Sequence, residues 1–112
     1  MITVKYHETT PGKKPAYEFI DGQPPESISK IVWEMRLLEK YGLFFMMNDR
    51  DSVKKIHRFP MYELRVKVKR VLYRFIFVIK GEVAWFLSGF AKKTDKIPPN
   101  EIKIALERAK RI

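Results

Sequence analysis

The chain has 112 residues, 46% of them hydrophobic, and no cysteine, which fits one domain with a single core and excludes disulfides and thiolate metal sites. The formal charge of +10 lies entirely in the second half: residues 1–52 carry seven Lys/Arg against eight Asp/Glu, and residues 53–112 carry sixteen against five. Such a field attracts a polyanion, with nucleic acid ahead of an anionic membrane and a merely solubilising basic surface as the bland alternative.

In chain order, Ile2 to Glu8 alternates apolar and polar residues, as a half-buried strand does. Its mixed polarity does not fit a secretion signal, and the longest apolar run, Val71 to Ile79, contains Arg74 and is too short to span a bilayer. A soluble cytoplasmic domain is therefore expected. Pro15 to Ile20 reads as a short helix or turn, closed by Asp21-Gly22 and Pro24-Pro25. A longer helix then begins near Pro25 and ends at Gly42, with Ile28, Ile31, Val32, Met35 and Leu38 on its core face. Leu43 to Asp51 reads as a loop.

From Met61 the period changes to two. Leu64, Val66 and Val68 alternate with Glu63, Arg65, Lys67 and Lys69, which predicts that these last three cations share one face. Leu72 to Ile79 forms a second strand, Lys80-Gly81-Glu82 a tight turn, and Val83 to Phe90 a third strand, which together make an antiparallel meander. Pro98-Pro99 opens a last helix with an apolar stripe of Ile102, Ala105, Leu106, Ala109 and Ile112. The order predicts one α+β domain over residues 1–112, a mainly antiparallel sheet of about four strands with helices laid on it.

Familiar catalytic sets are absent. His7 and His57 lie far apart without an HExxH frame, so no metal site is expected, and no glycine loop for phosphate is present. Ser52 and Ser88 lack a nucleophile turn. What remains is cations on strands. Arg74 is the odd member of an apolar strand, and burying it is costly unless its head reaches a partner or an open surface; an ion pair with Glu63 is as good an explanation as a functional one. Lys92-Lys93 ends the third strand and by itself is an ordinary solvated pair. Tyr62, Tyr73, Phe75 and Phe77 offer rings for stacking on a base, although strands favour such residues for the core.

Several segments together resemble the HigB-like, phage-derived branch of the RelE/ParE toxins. They are Tyr62-Glu63-Leu64-Arg65, Tyr73-Arg74, and Gly89-Phe90-Ala91-Lys92-Lys93-Thr94-Asp95-Lys96-Ile97-Pro98, followed by Glu101-Ile102 and Ala105 in the last helix. Pro15 to Ile20, Tyr41-Gly42 and Val53-Lys54-Lys55-Ile56 fit the same layout upstream. The resemblance implies a RelE-like fold and the toxin of a type II toxin–antitoxin system, a ribosome-dependent mRNA endoribonuclease without cofactor. It implies attack of a ribose 2′-OH on the adjacent phosphorus, supported by cations that stabilise the transition state's extra negative charge.

By position the resemblance assigns catalytic roles to Arg65, Arg74, Lys92 and Lys93, with Arg74 clamping the scissile phosphate and Lys92 or Lys93 stabilising charge or passing a proton. Lys54, Lys55, Lys67 and Lys69 are assigned to the backbone of mRNA or ribosomal RNA. The implied partners are mRNA, the ribosome and a cognate antitoxin, commonly of helix-turn-helix type, and no membrane. Phe77 stands where the family commonly has tyrosine, and the last helix has no tyrosine or histidine, so the resemblance supplies no general acid. Two other functions fit the same residues: a non-catalytic basic RNA-binding module, and a ParE-like toxin that poisons gyrase.

Overall fold

The computed structural model describes residues 1–92 and 94–112. Eight elements follow one another: β1 (Thr3–Tyr6), α1 (Pro15–Asp21), α2 (Pro25–Asn48), β2 (Val53–Lys55), β3 (Tyr62–Val68), β4 (Val71–Lys80), β5 (Val83–Ala91) and α3 (Pro99–Ala109). The strands form one mixed sheet in the order β1-β5-β4-β3-β2. The expected meander is β3-β4-β5, all antiparallel, while β1 lies parallel to β5 with Thr3 level with Val83. The α+β class stands, with one strand more than expected. Val53–Lys55 pairs with β3 as an edge strand too short for a period to reveal.

The long helix does not stop at Gly42. That residue breaks the helix at φ 86°, ψ 175°, a conformation suited to glycine, and the chain then resumes helical geometry to Asn48. The reason lies in the apolar run after it: Met46 is fully buried, and Leu43, Phe45 and Met47 pack against the same core. The two halves are tied across the break by buried Glu34, which accepts from Arg50 Nε at 3.2 Å and from Arg50 Nη2.

Each face of the sheet has its own core. On the first face Leu64, Val66, Tyr73, Phe75, Phe77 and Phe86 meet α1 and α2 through Ala16, Ile20, Ile31, Met35 and Leu38. Tyr73, Phe75 and Phe77 are therefore core residues, and Tyr62 is stacked on Phe77 with centroids 5.6 Å apart. Gly89 lets α1 approach closely, since a Cβ there would lie 2.7 Å from Phe19 Cδ2 and 2.8 Å from Phe75 Cε1.

On the second face Ile76, Val78, Leu87 and Phe90 meet α3 through Ala105, with Ile102, Leu106 and Ala109 packed around them. A bulge makes this possible. Ile76 is level with Ser88 but Phe77 with Phe86, so Leu87 is an extra residue on β5. Both Phe86 on the first face and Leu87 on the second are then fully buried.

Candidate nucleic-acid interface

Helix α3 covers the β4–β5 side of the second face and leaves the β3 side to charged residues. Side chains alternate across a strand, so Glu63, Arg65 and Lys67 share that face. The register sets Lys54 opposite Glu63, Arg65 opposite Arg74, and Lys67 opposite Leu72. Like charges placed directly opposite repel, so the Arg65–Arg74 rung needs a counter-charge. Glu63 supplies it, with Oε2 accepting from Arg74 Nε at 2.5 Å and Oε1 standing 3.8 Å from Arg65 Nε.

Arg74 is wholly buried. Besides Glu63, its guanidinium donates to the carbonyls of Thr94 at 2.5 Å, Asp95 at 3.3 Å and Lys92 at 3.4 Å, and it lies 5.5 Å from the centre of the Phe90 ring. In this conformation the expected clamp on a scissile phosphate faces protein instead: four hydrogen bonds run from the guanidinium to protein acceptors, and the side chain is sealed from solvent. Its visible effect is to fasten the β5–α3 connection onto the sheet, which fixes where Lys92 emerges.

Arg65 differs. Its side chain is 24% exposed, and Nε has no hydrogen-bond partner among the described residues. Lys67 and Lys92 are exposed, and continuing the pairing of Tyr73 with Ala91 by one residue brings Lys92 level with Leu72, across β4 from Lys67 and about 10 Å away in strand spacing. Lys93 lies outside the described residues. Lys54 is exposed on the same face, with Asp51 Oδ1 at 3.6 Å.

Two of the expected backbone contacts part from this group. Lys55 follows Lys54 and so points to the opposite side of the edge strand, where Nζ donates to the carbonyls of Ile56 at 3.2 Å and Phe59. Lys69 does not continue the period of β3. It opens the β3–β4 turn at φ 56°, and its ammonium sits 3.3 Å from Glu26 Oε2 at the start of α2. It still lines, with Lys67, Arg70 and Leu72, a surface hollow of about 390 Å³.

The arrangement can neutralise a polyanion and hold a phosphate between Arg65, Lys67 and Lys92. It offers no free carboxylate, because Glu63 is engaged by Arg74. The pinning role of Arg74 had a sequence signal, one arginine in an apolar strand with one carboxylate in its neighbour, but its carbonyl partners lie 18 to 21 residues away.

No helix among the described residues is long and apolar enough to cross a membrane. Comparison with curated proteins gives no match. The family model of the phage-derived Gp49-like proteins (DUF891) matches residues 18–110, which take in the second half of α1, all of α2, the meander and α3. The chain is a member of the phage-derived Gp49-like protein family.

Proposed function

We propose that this protein is the toxin of a type II toxin–antitoxin pair, of the HigB-like kind, and that it cuts mRNA on the ribosome. The observation that carries the reading is the cationic β3 half of the second face, where Arg65, Lys67 and Lys92 emerge around the buried Glu63–Arg74 pair. The family agrees with the toxin resemblance of the motifs.

The reaction is attack of a ribose 2′-oxygen on the neighbouring phosphorus with departure of the 5′-oxygen, leaving a 2′,3′-cyclic phosphate and a 5′-hydroxyl. The 2′ proton is taken up by solvent water, and the 5′-oxygen gains one from a lysine ammonium that water then reprotonates. Arg65 holds the scissile phosphate and stabilises its developing charge. Lys92 and Lys93 share that charge and pass the proton to the leaving oxygen. Lys54 and Lys67 contact the flanking backbone, and Arg74 is a positioning residue acting through the 92–95 segment.

The proposed antitoxin has a suitable surface elsewhere. Trp33, Tyr41 and Phe44 on α2 are 57%, 50% and 77% exposed, on the opposite side of the sheet from the cations. Large exposed aromatics flanked by Lys30, Arg36 and Lys40 suit an apolar, acidic protein surface. A partner there would leave the RNA face open and act by obstructing ribosome entry.

A second reading, binding of RNA without cleavage, is favoured by Glu63, the carboxylate among the strand cations, being taken up by Arg74 rather than free to act as a base. The deciding experiment incubates the protein and an Arg65→Ala/Lys92→Ala/Lys93→Ala variant with mRNA, with and without programmed ribosomes, and maps 5′ ends by primer extension. Ribosome-dependent cuts lost in the variant establish the nuclease. Intact mRNA with tight, salt-sensitive binding by the folded protein replaces it with the binding module.

A further inference from the structure

On the other flank of α3, three strand spacings or about 14 Å across the sheet from β3, His7 sits just past the end of β1. Its backbone N–H continues the pairing to Phe86 O at 3.0 Å. The side chain is only 4% exposed, yet Nε2 has no hydrogen-bond partner among the described residues. A buried imidazole nitrogen left without a partner forfeits its hydration for nothing.

Two hollows meet at this residue. One, of about 650 Å³, runs from His7 along Lys5 and Trp85 to Lys14 and Arg111. The other, of about 420 Å³, runs from His7 along α3 past Asn100, Lys103, Arg108 and Arg111. Each hollow has one side-chain carboxylate: Glu8, which accepts from Gly12 N at 2.5 Å, and Glu107, which is paired with Lys110 at 3.3 Å. The remaining side-chain charges are cationic, and none of Lys5, Lys14, Lys103 and Arg111 has an acidic partner among the described residues.

We propose that these hollows form a second ligand site, separate from the RNA face, which takes a phosphomonoester. Its phosphate sits between His7, Arg111 and Lys103, and any attached ring lies along Trp85. Arg111 lines both hollows and is itself exposed, so its movement admits a ligand oxygen to the nitrogen that lacks a partner. Arg108 forms the inner wall and is held by donating to Leu87 O at 2.8 Å.

A dianion offsets the crowding of Arg108 and Arg111 around the imidazole. Those two arginines and burial, with burial the larger cause, hold the His7 pKa below its ordinary value. The charged residues that line the hollows with His7 are Lys5 and Glu8 from β1 and the following loop, Lys14 at the start of α1, and Lys103, Glu107, Arg108 and Arg111 from α3 and its end. A bound phosphate therefore raises the His7 pKa.

The chain has only two histidines, so NMR of the imidazoles carries its own control in exposed His57. Inorganic phosphate and 5′-AMP are titrated into the full chain near pH 7. The expected result is a saturable shift of the His7 signals, a rise in its pKa and no change at His57. Arg111→Ala and Lys103→Ala, both at exposed positions and so compatible with folding, each weaken binding about tenfold. Lys67→Ala leaves it unchanged.

A 5′-phosphorylated RNA trinucleotide and its 5′-hydroxyl counterpart separate the sources. Binding of 5′-AMP and the phosphorylated trinucleotide alike assigns the site to any phosphomonoester, and binding of the phosphorylated trinucleotide alone assigns it to RNA ends. An equal shift of the His7 signals by the 5′-hydroxyl form, an unmoved His7 at about 10 mM phosphate, about a thousandfold above the Kd of a good site, or loss of the effect in Lys67→Ala overturns the proposal. None of these outcomes depends on whether the protein cuts mRNA.

Discussion

Arg65 and Arg74 face each other directly across β3 and β4, and the carboxylate of Glu63 lies against both guanidinium groups. One arginine is sealed and the other reaches solvent, so the same counter-ion stabilises a buried hub and leaves a neighbour free for a phosphate.

Removing that counter-ion strands a charge in the interior. Glu63→Gln is expected to lower unfolding stability by about 3–5 kcal/mol, the usual consequence of breaking a buried pair. Arg74→Met alone leaves Glu63 with only the distant Arg65, whereas the Glu63→Gln/Arg74→Met double variant recovers much of the loss. Urea denaturation of the four proteins measures the coupling. Additive losses would show that the pair contributes no interaction energy.

The cations at the surface behave differently. Lys67→Ala and Lys92→Ala, at exposed positions, are expected to leave stability within about 0.5 kcal/mol, whereas Arg65→Ala, at a partly buried side chain beside Glu63, costs more. Each reduces the salt dependence of single-stranded RNA binding by about 0.7 in the log–log slope. Lys55→Ala and Lys69→Ala, whose ammonium groups are turned elsewhere, leave the slope unchanged. Fluorescence titrations across a salt series read both effects.

At Gly89 the sheet comes close to Phe19 of α1, and a Cβ there would lie 2.7 Å from its Cδ2. Gly89→Ala forces Phe19 or Phe75 aside and is expected to destabilise by about 1–3 kcal/mol. Phe19→Leu, made in the same chain, restores part of that by vacating the ring edge. A thermal melt with no loss in Gly89→Ala would show that α1 yields freely.

His7 predicts how stability follows pH. Its pKa in the folded protein lies below the ordinary value of 6.5, chiefly through burial and further through Arg108 and Arg111. The unfolded chain therefore takes up a proton that the folded chain refuses. Stability is full above about pH 6.5 and falls as the pH is lowered toward the folded-state value. His7→Gln removes this dependence, and a Tm measured from pH 7.5 to pH 5 is expected to flatten by comparison with the parent.

The proposed antitoxin surface is open to a direct test. Trp33→Glu/Phe44→Glu is expected to stay toxic when expressed alone and to escape neutralisation by the cognate antitoxin. Growth with and without co-expression reads both properties. Escape caused instead by substitutions at Lys67, with Trp33 and Phe44 indifferent, would move the partner to the RNA face.

Much of this architecture follows from local pattern. The period-two run of Leu64, Val66 and Val68, the apolar β4 and the turn at Gly81 suffice to predict the meander. The stripes in α2 and α3 predict which sides face the core, because amphipathic periodicity is a property of neighbours in the chain. The charge asymmetry and the cationic strand likewise need only the residues themselves.

What local pattern does not contain is partnership over distance. Gly42 looks like a helix end until the buried demand of Met46 and the Glu34–Arg50 pair carry the helix past it. The bulge at Leu87 decides which face Phe86 and Leu87 take, and the positive φ of Lys69 removes it from the row that alternation assigns it. Arg74 reads as clamp or core with equal ease in the sequence. The tertiary structure decides in favour of core, because a buried charge must find its acceptors wherever the fold brings them, and here they are Glu63 and the carbonyls of the β5–α3 connection.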